Sequence, residues 1–257
     1  MYDKFASLYD FFVNWKSRLA FELPFIQEQL MLLGGSPEEH KLMDTACGTG
    51  QHAIALARLG YQVSATDLYP QMVSLANTNA LAADVKIRFK TAGFGSIAPA
   101  FPGEQFDAVL CLGNSLPHVN SLSDLQRALQ DFAALMGPGA LLLLQQRNFD
   151  AVMQAKNRFM EPQTHSSGDQ EWVFFRFYDF EPNGKIQFSV MTLTRRPGSP
   201  WESALTSTIL LPILSGDLRA AMELAGFQDL RFYGNMKGEA YDSAASGDLI
   251  VVARKNA

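Results

Sequence analysis

Leu42-Met-Asp-Thr-Ala-Cys-Gly-Thr-Gly50 decides how this chain is read. An apolar run ends in an acid, Asp44, and a glycine-rich turn follows at once. Gln51-His-Ala-Ile-Ala-Leu-Ala-Arg-Leu59 then has helical spacing, with Gly60 as its stop. Strand, turn and helix together build a nucleotide site, because glycines let backbone N–H groups approach a ligand closely. The second half is Tyr61-Gln-Val-Ser-Ala-Thr-Asp67. It is another strand, and its terminal acid lies roughly twenty residues beyond the glycines, where a carboxylate accepts hydrogen bonds from ribose hydroxyls.

Two cofactor classes fit. Gly48-x-Gly50-x-x-Ala53 can be matched to a dinucleotide fingerprint. Asp44 argues against that match, since a carboxylate at the strand end repels a pyrophosphate and favours a cationic centre. S-adenosylmethionine carries a sulfonium and an ammonium and no phosphate, so it is the expected ligand. A tight β–α turn without any ligand would explain the glycines but neither Asp44 nor Asp67.

Outward from this core, 41–46, 62–66, 85–91, 106–112 and 140–146 read as strands. Helices at 52–59, 70–83 and after Ser123-Asp-Leu-Gln126 alternate with them, the last stopping at Gly137-Pro138. Such alternation means a parallel sheet covered on both faces. Residues 171–180 and 185–195 are instead aromatic and β-branched, joined by Pro182-Asn-Gly184, a hairpin signal; 204–213 could add a third strand. A helix over 215–225 and strands near 229–233 and 248–254 return to the first pattern. The expected fold is α/β, a doubly wound, Rossmann-like, mostly parallel seven-stranded sheet with an antiparallel β insertion over its C-terminal edge. The expected division is a helical cap (1–34), a donor-binding core (35–149), an antiparallel lid (150–211) and the end of the core sheet (212–257). The alternative is a hairpin that merely extends the core sheet.

The 257 residues carry a formal net charge of −5 and no run of Lys or Arg. A nucleic-acid partner, which needs its phosphates neutralised, is not expected. No apolar stretch is long enough to span a bilayer, no signal-peptide pattern opens the chain, and a cytoplasmic location is the expectation. Cys47 and Cys111 sit at apolar strand ends and read as buried packing residues, and no metal site is expected.

Asp44-x-Ala-Cys-Gly-Thr-Gly50 and Asp67 resemble the class I S-adenosylmethionine-dependent methyltransferases. Val109-Leu-Cys-Leu-Gly-Asn-Ser-Leu-Pro-His118, Gln146-Arg-Asn-Phe-Asp150 and Trp15-Lys-Ser-Arg18 are similar, within that class, to the glycine and glycine/sarcosine N-methyltransferase family. The resemblance implies that Asp67 binds ribose and that the backbone from Ala46 through Cys47 and Gly48 to Gly50 lines the methionine part. It implies that Arg18 pairs with the donor carboxylate, and that Leu112, Ser115 and His118 line the donor pocket. Asp44, Leu68, Met72, Gly93 and Phe94 complete the expected donor set, with S-adenosylhomocysteine as product. Gly93 and Phe94 depart from the family's polar-aromatic pair. Competing readings make Arg18 a solvated helix arginine and His118 a loop histidine.

Asn114 and Arg147 each follow a strand and can face one crevice, where an arginine fork and an amide hold a carboxylated amine. Arg147 could equally be a strand-end arginine paired with a local acid such as Asp150. Tyr9 is a candidate pocket hydroxyl or a packing residue. His118 is the one plausible general base, and otherwise the amine loses its proton to water. The expectation is methyl transfer to the amine of a small carboxylated acceptor, resembling glycine or sarcosine. O- or C-methyl transfer on the same fold, and a non-catalytic module that binds the donor or its product, stay open. Homo-oligomerisation is left open.

Overall fold

The computed structural model describes residues 13–256. Helix α1 (Trp15–Met31) is capped by Asn14, whose side chain accepts from the Ser17 amide. The sheet strands are β1 (Lys41–Thr45), β2 (Gln62–Asp67), β3 (Arg88–Thr91), β4 (Phe106–Cys111), β5 (Met136–Arg147), β10 (Phe227–Tyr233) and β11 (Asp248–Lys255). The intervening helices are α2 (Gln51–Arg58), α3 (Pro70–Ala82), α4 (Ile97–Ala100), α5 (Leu122–Ala134), α6 (Phe149–Ala155) and α7 (Ser215–Leu224).

The seven strands run β10-β11-β5-β4-β1-β2-β3. Pairing is parallel from β3 to β5, and β11 is antiparallel to both its neighbours. The expected α/β fold is the one observed. The central strands are buried on both faces, as a doubly covered parallel sheet requires. One apolar layer packs α5 and α7 on the sheet, and the other packs α1 and α2. β1 lies between β2 and β4, where the strand order reverses and a crevice opens at the carboxyl ends. Among the described residues, no helix is long and apolar enough to cross a membrane.

The insertion forms a separate four-stranded antiparallel sheet of β6 (Gln163–Ser167), β7 (Gln170–Phe180), β8 (Ile186–Arg195) and β9 (Glu202–Leu210). The hairpin therefore does not extend the core sheet. Three elements escape the sequence reading: β6, which is polar and short, α4, a single turn, and α6, which starts at an Asn148 cap. Three boundaries also need correction. α5 is capped by Ser121, not Ser123, because the Ser121 hydroxyl takes the Asp124 amide and Ser123 lies inside the helix. Gly137-Pro138 does not stop that helix; the pair lies in β5, where the register with β4 shifts between Phe106 and Ala108. β3 begins at Arg88 rather than at 85.

Candidate functional site

The glycine turn is held by its own neighbourhood. Gly48 donates its amide to the Asp67 carboxylate at 2.9 Å, and Tyr69 donates to the other oxygen at 2.9 Å. Gly50 caps α2 with φ +81°, and a Cβ there would come within 3.0 Å of Ala76 and 3.3 Å of the Phe89 ring. Glycine is thus required by the backbone angle and by the approach of α2 to α3. Burial raises the Asp67 carboxyl above its ordinary range, against the opposing pull of these amides. Asp44 is buried, its Oδ2 has no hydrogen-bond partner, and burial plus the nearby Asp67 push its pKa up to about 7. A buried acid with one unpartnered oxygen, beside a second acid whose pKa is raised, fits a ligand bearing hydroxyls and positive charge.

The resulting cleft encloses about 510 Å³. Ala46, Gly48, Asp67, Leu68, Met72, Gly93, Phe94, Ser115 and His118, all from the expected site set, line it. Leu68 is an exposed apolar side chain beside Gly93, where an added Cβ would come within 2.8 Å of it, and together they make a flat apolar wall. Phe94 leans edge-on against Phe132, and Asp131 of α5 accepts from the Ile97 and Ala98 amides, fixing the loop beyond β3. Sequence reasoning did not find Asp131, because its role depends on a contact between distant elements.

Four expected donor residues do not line this cleft. The Leu112 side chain packs in the core, and only its carbonyl serves, accepting from the Ser115 hydroxyl at 2.8 Å. Cys47 is buried in the same core and Gly50 faces α3. Asp44 is buried and outside the lining. A fifth, Arg18, lines a second cavity of about 660 Å³ together with Asn114 and Arg147. Gly113 and His118 border both spaces.

Arg18 is not a solvated helix arginine. Its Nε donates to both Glu22 oxygens at 3.1 Å, and Nη2 reaches Gln145 Oε1 at 3.4 Å. Gln145 Oε1 also accepts from the Gly113 amide at 3.1 Å, and His52 Nε2 meets Glu22 at 2.6 Å. Burial would raise the Glu22 carboxyl, but His52, Arg18 and Gln145 outweigh it and hold it below the usual range. Burial likewise lowers His52, so a neutral imidazole donates to an ionised Glu22. The network ties α1, α2, β4 and β5 together. A Cβ on Gly113 (φ +74°) would lie 3.4 Å from the guanidinium, so glycine keeps Arg18 close to the partition.

Asn114 has φ +65°, and its Oδ1 accepts from the Arg147 amide at 2.9 Å. That bond orients its NH2 as the remaining donor, which suits a carboxylate better than an ammonium. Arg147 pairs with Asp248 of β11 at 2.9 Å, not with Asp150. Asp150 instead accepts from the Ser215 amide and the Tyr241 hydroxyl. Burial pushes His118 down to about 4, so the ring is neutral near pH 7 and a weak base. Tyr9 lies outside the described residues. The inserted sheet contributes Arg176 and Tyr178 to the cavity, neither foreseen, and Tyr178 brings a phenol near both Arg147 and Arg176. Cross-strand alternation alone could have marked them as inward-facing once β7 was placed.

A family profile described as a methyltransferase domain matches residues 42–139. A glycine/sarcosine N-methyltransferase from Parasynechococcus marenigrum (strain WH8102) is 32% identical over 91% of this chain and 77% of that protein. The chain belongs to the glycine/sarcosine N-methyltransferase family. Another member, from Aphanothece halophytica, is 27% identical over 98% of this chain and 88% of its own length. The fold is shared with an S-adenosylmethionine-dependent methyltransferase from Clostridium acetobutylicum at TM-score 0.79 and 15% identity, covering 100% and 99% of the two chains. As a family member, the protein is an S-adenosylmethionine-dependent methyltransferase.

Proposed function

We infer that this N-methyltransferase transfers the methyl group to the amine of a small carboxylated acceptor of the glycine/sarcosine kind. One observation carries the reading: the glycine-turn cleft and the Asn114–Arg147 cavity share a single partition at Gly113 and His118. A donor on one side and an amine on the other would meet there in line. S-adenosylmethionine supplies an electrophilic methyl group on a sulfonium when bound.

The chain's own residues do the rest. Asp67 accepts ribose hydroxyls, the Ala46–Gly50 backbone follows the methionine part, and Leu68 and Phe94 flank the adenine. Asp44 supplies negative potential beneath the cationic centre, and Arg18, steadied by Glu22, reaches the donor carboxylate. Arg147 and the Asn114 amide hold the acceptor carboxylate, which fixes its amine towards the partition. Alignment in a dry site can account for roughly 7–11 kcal/mol of barrier lowering in favourable cases. His118, with its pKa near 4, takes no proton from an ammonium group and instead orients the neutral amine or the turn around it. The amine therefore sheds its proton to water before attack.

Labelled-methyl transfer tests the reading. Product formed with glycine, sarcosine or a larger amino acid supports it. Transfer confined to phenols or carboxylic acids would replace it with O-methylation, and tight donor binding without any transfer would leave a binding module.

A further inference from the structure

β7 alternates its side chains, and Trp172, Phe174, Arg176, Tyr178 and Phe180 share one face. Trp172, Phe174 and Tyr178 are buried. On β8 the partner of Arg176 is Val190, which is also buried. An apolar inward register is therefore interrupted by a single guanidinium, at the position facing the acceptor cavity. Arg176 is half-buried there, and its planar guanidinium is suited to an anion entering the cavity. Burial and the neighbouring Arg147 both press the Arg176 pKa downward, so the two cations face one space.

The charged groups among the described lining residues are Arg18, Arg147, Arg176 and Glu161. Arg18 is tied to Glu22 and Arg147 to Asp248, while Arg176 Nη2 donates to the Glu161 carbonyl at 3.4 Å. Arg147 comes from the end of a core strand and Arg176 from the lid, so they approach the cavity from different walls. Val190, Phe188 and Leu210 line the same cavity as apolar surface. A volume of about 660 Å³ falls within the range of sites for ligands well above glycine in size.

We propose that Arg176 is a specificity-determining residue that binds a second carboxylate, so that the preferred acceptor is an amino acid with an acidic side chain. The α-carboxylate lies on Arg147 and Asn114, the aliphatic spacer lies against Val190 and Leu210, and the distal carboxylate meets Arg176. This deepens the reading of the site as one for carboxylated amines and rests on it for the methyl transfer, although the anion recognition can be read without turnover.

The test is calorimetry on the protein saturated with S-adenosylhomocysteine, using glutarate and butyrate as probes. Glutarate should bind at least tenfold more tightly than butyrate. Arg176→Gln should erase that gap while leaving S-adenosylhomocysteine affinity unchanged, which reports an intact fold, and Arg176→Lys should restore part of it. Equal binding of the two probes, no binding of glutarate, or a gap that survives Arg176→Gln would overturn the proposal. Turnover separates the two levels. If glycine and glutamate are methylated with equal kcat/KM, and Arg176→Gln changes neither, the dicarboxylate preference falls and the N-methyltransferase reading survives. If the glutarate gap holds but no amine is methylated, anion recognition stands and the N-methyltransferase reading falls.

Discussion

The two halves of the site are built on opposite plans. The donor cleft is assembled mostly from segments close in sequence, the turn after β1, the end of β2, the start of α3 and the loop after β3, closed by the turn after β4, the start of α5 and Thr208 and Ile209 of β9. Its wall includes glycines and one strand-end acid, Asp67, with a second acid, Asp44, buried outside the lining. The cavity proposed for the acceptor is assembled from side chains on α1, the ends of β4 and β5, α6 and three strands of the inserted sheet. Local backbone geometry leaves a mark in the sequence, whereas convergence of distant side chains does not.

The largest effect should come from breaking the donor side. Asp67→Ala removes a ribose acceptor and the partner of the Gly48 amide. Hydrogen bonds to a charged group are worth about 1.5–3 kcal/mol, so calorimetry should find S-adenosylmethionine and S-adenosylhomocysteine both weakened roughly 10- to 100-fold. Unchanged affinity would remove Asp67 from the donor site. On the acceptor side, Arg147→Ala should raise KM for a carboxylated amine by about tenfold or more, the loss of one charge-assisted pair. Donor affinity should stay as it was. Equal losses on both sides would mean that the Arg147–Asp248 pair serves only to join β5 to β11.

Asp44 sharpens the contrast through pH. Its carboxyl titrates near 7 in the free protein, above its ordinary value, because it is buried beside Asp67. A cationic ligand prefers the ionised form, so S-adenosylmethionine should bind best above pH 8. Affinity should weaken by up to about tenfold per unit below the Asp44 pKa. In the ligand-free fold the sign is opposite. A raised carboxyl pKa contributes stability that is fully present below about pH 4 and lost as pH rises through 7. Asp44→Asn should flatten both profiles, raising the ligand-free Tm at pH 8 and not at pH 4. Affinity that is flat with pH in the unaltered protein would show that Asp44 does not sense the donor's charge. The smallest effect is expected at His118. With its pKa near 4, His118→Asn should change kcat by less than about tenfold and shift no inflection between pH 5 and 8. A lost inflection there would restore His118 as the base.

The same contrast explains what was legible. The alternation of strands and helices followed from periodicity, and the glycine turn from glycine's conformational freedom; Arg147, expected just beyond a strand, is instead the last residue of β5. Ser121 was missed because two serines two residues apart both suit a helix start, and only the hydroxyl's contact with Asp124 separates them. Leu112 was misplaced because its motif resembles a pocket wall while its side chain completes a core layer. Asp248, Asp131 and Gln145 were invisible, since each acts across the sheet or between helices far apart in sequence. Arg176 lay in plain view within an aromatic run, and the alternation of β7 puts it on the face of Trp172, Phe174 and Tyr178 once that strand is placed.

The Leu211 amide donates to the Pro117 carbonyl at 2.8 Å, where the chain leaves β9. That bond fastens the exit of the insertion to the short turn carrying His118, the wall common to both compartments. Any displacement of β9 is therefore handed to that wall. A ligand that drew β9 toward one compartment would act on the wall shared with the other, and thermodynamic reciprocity would make that influence mutual.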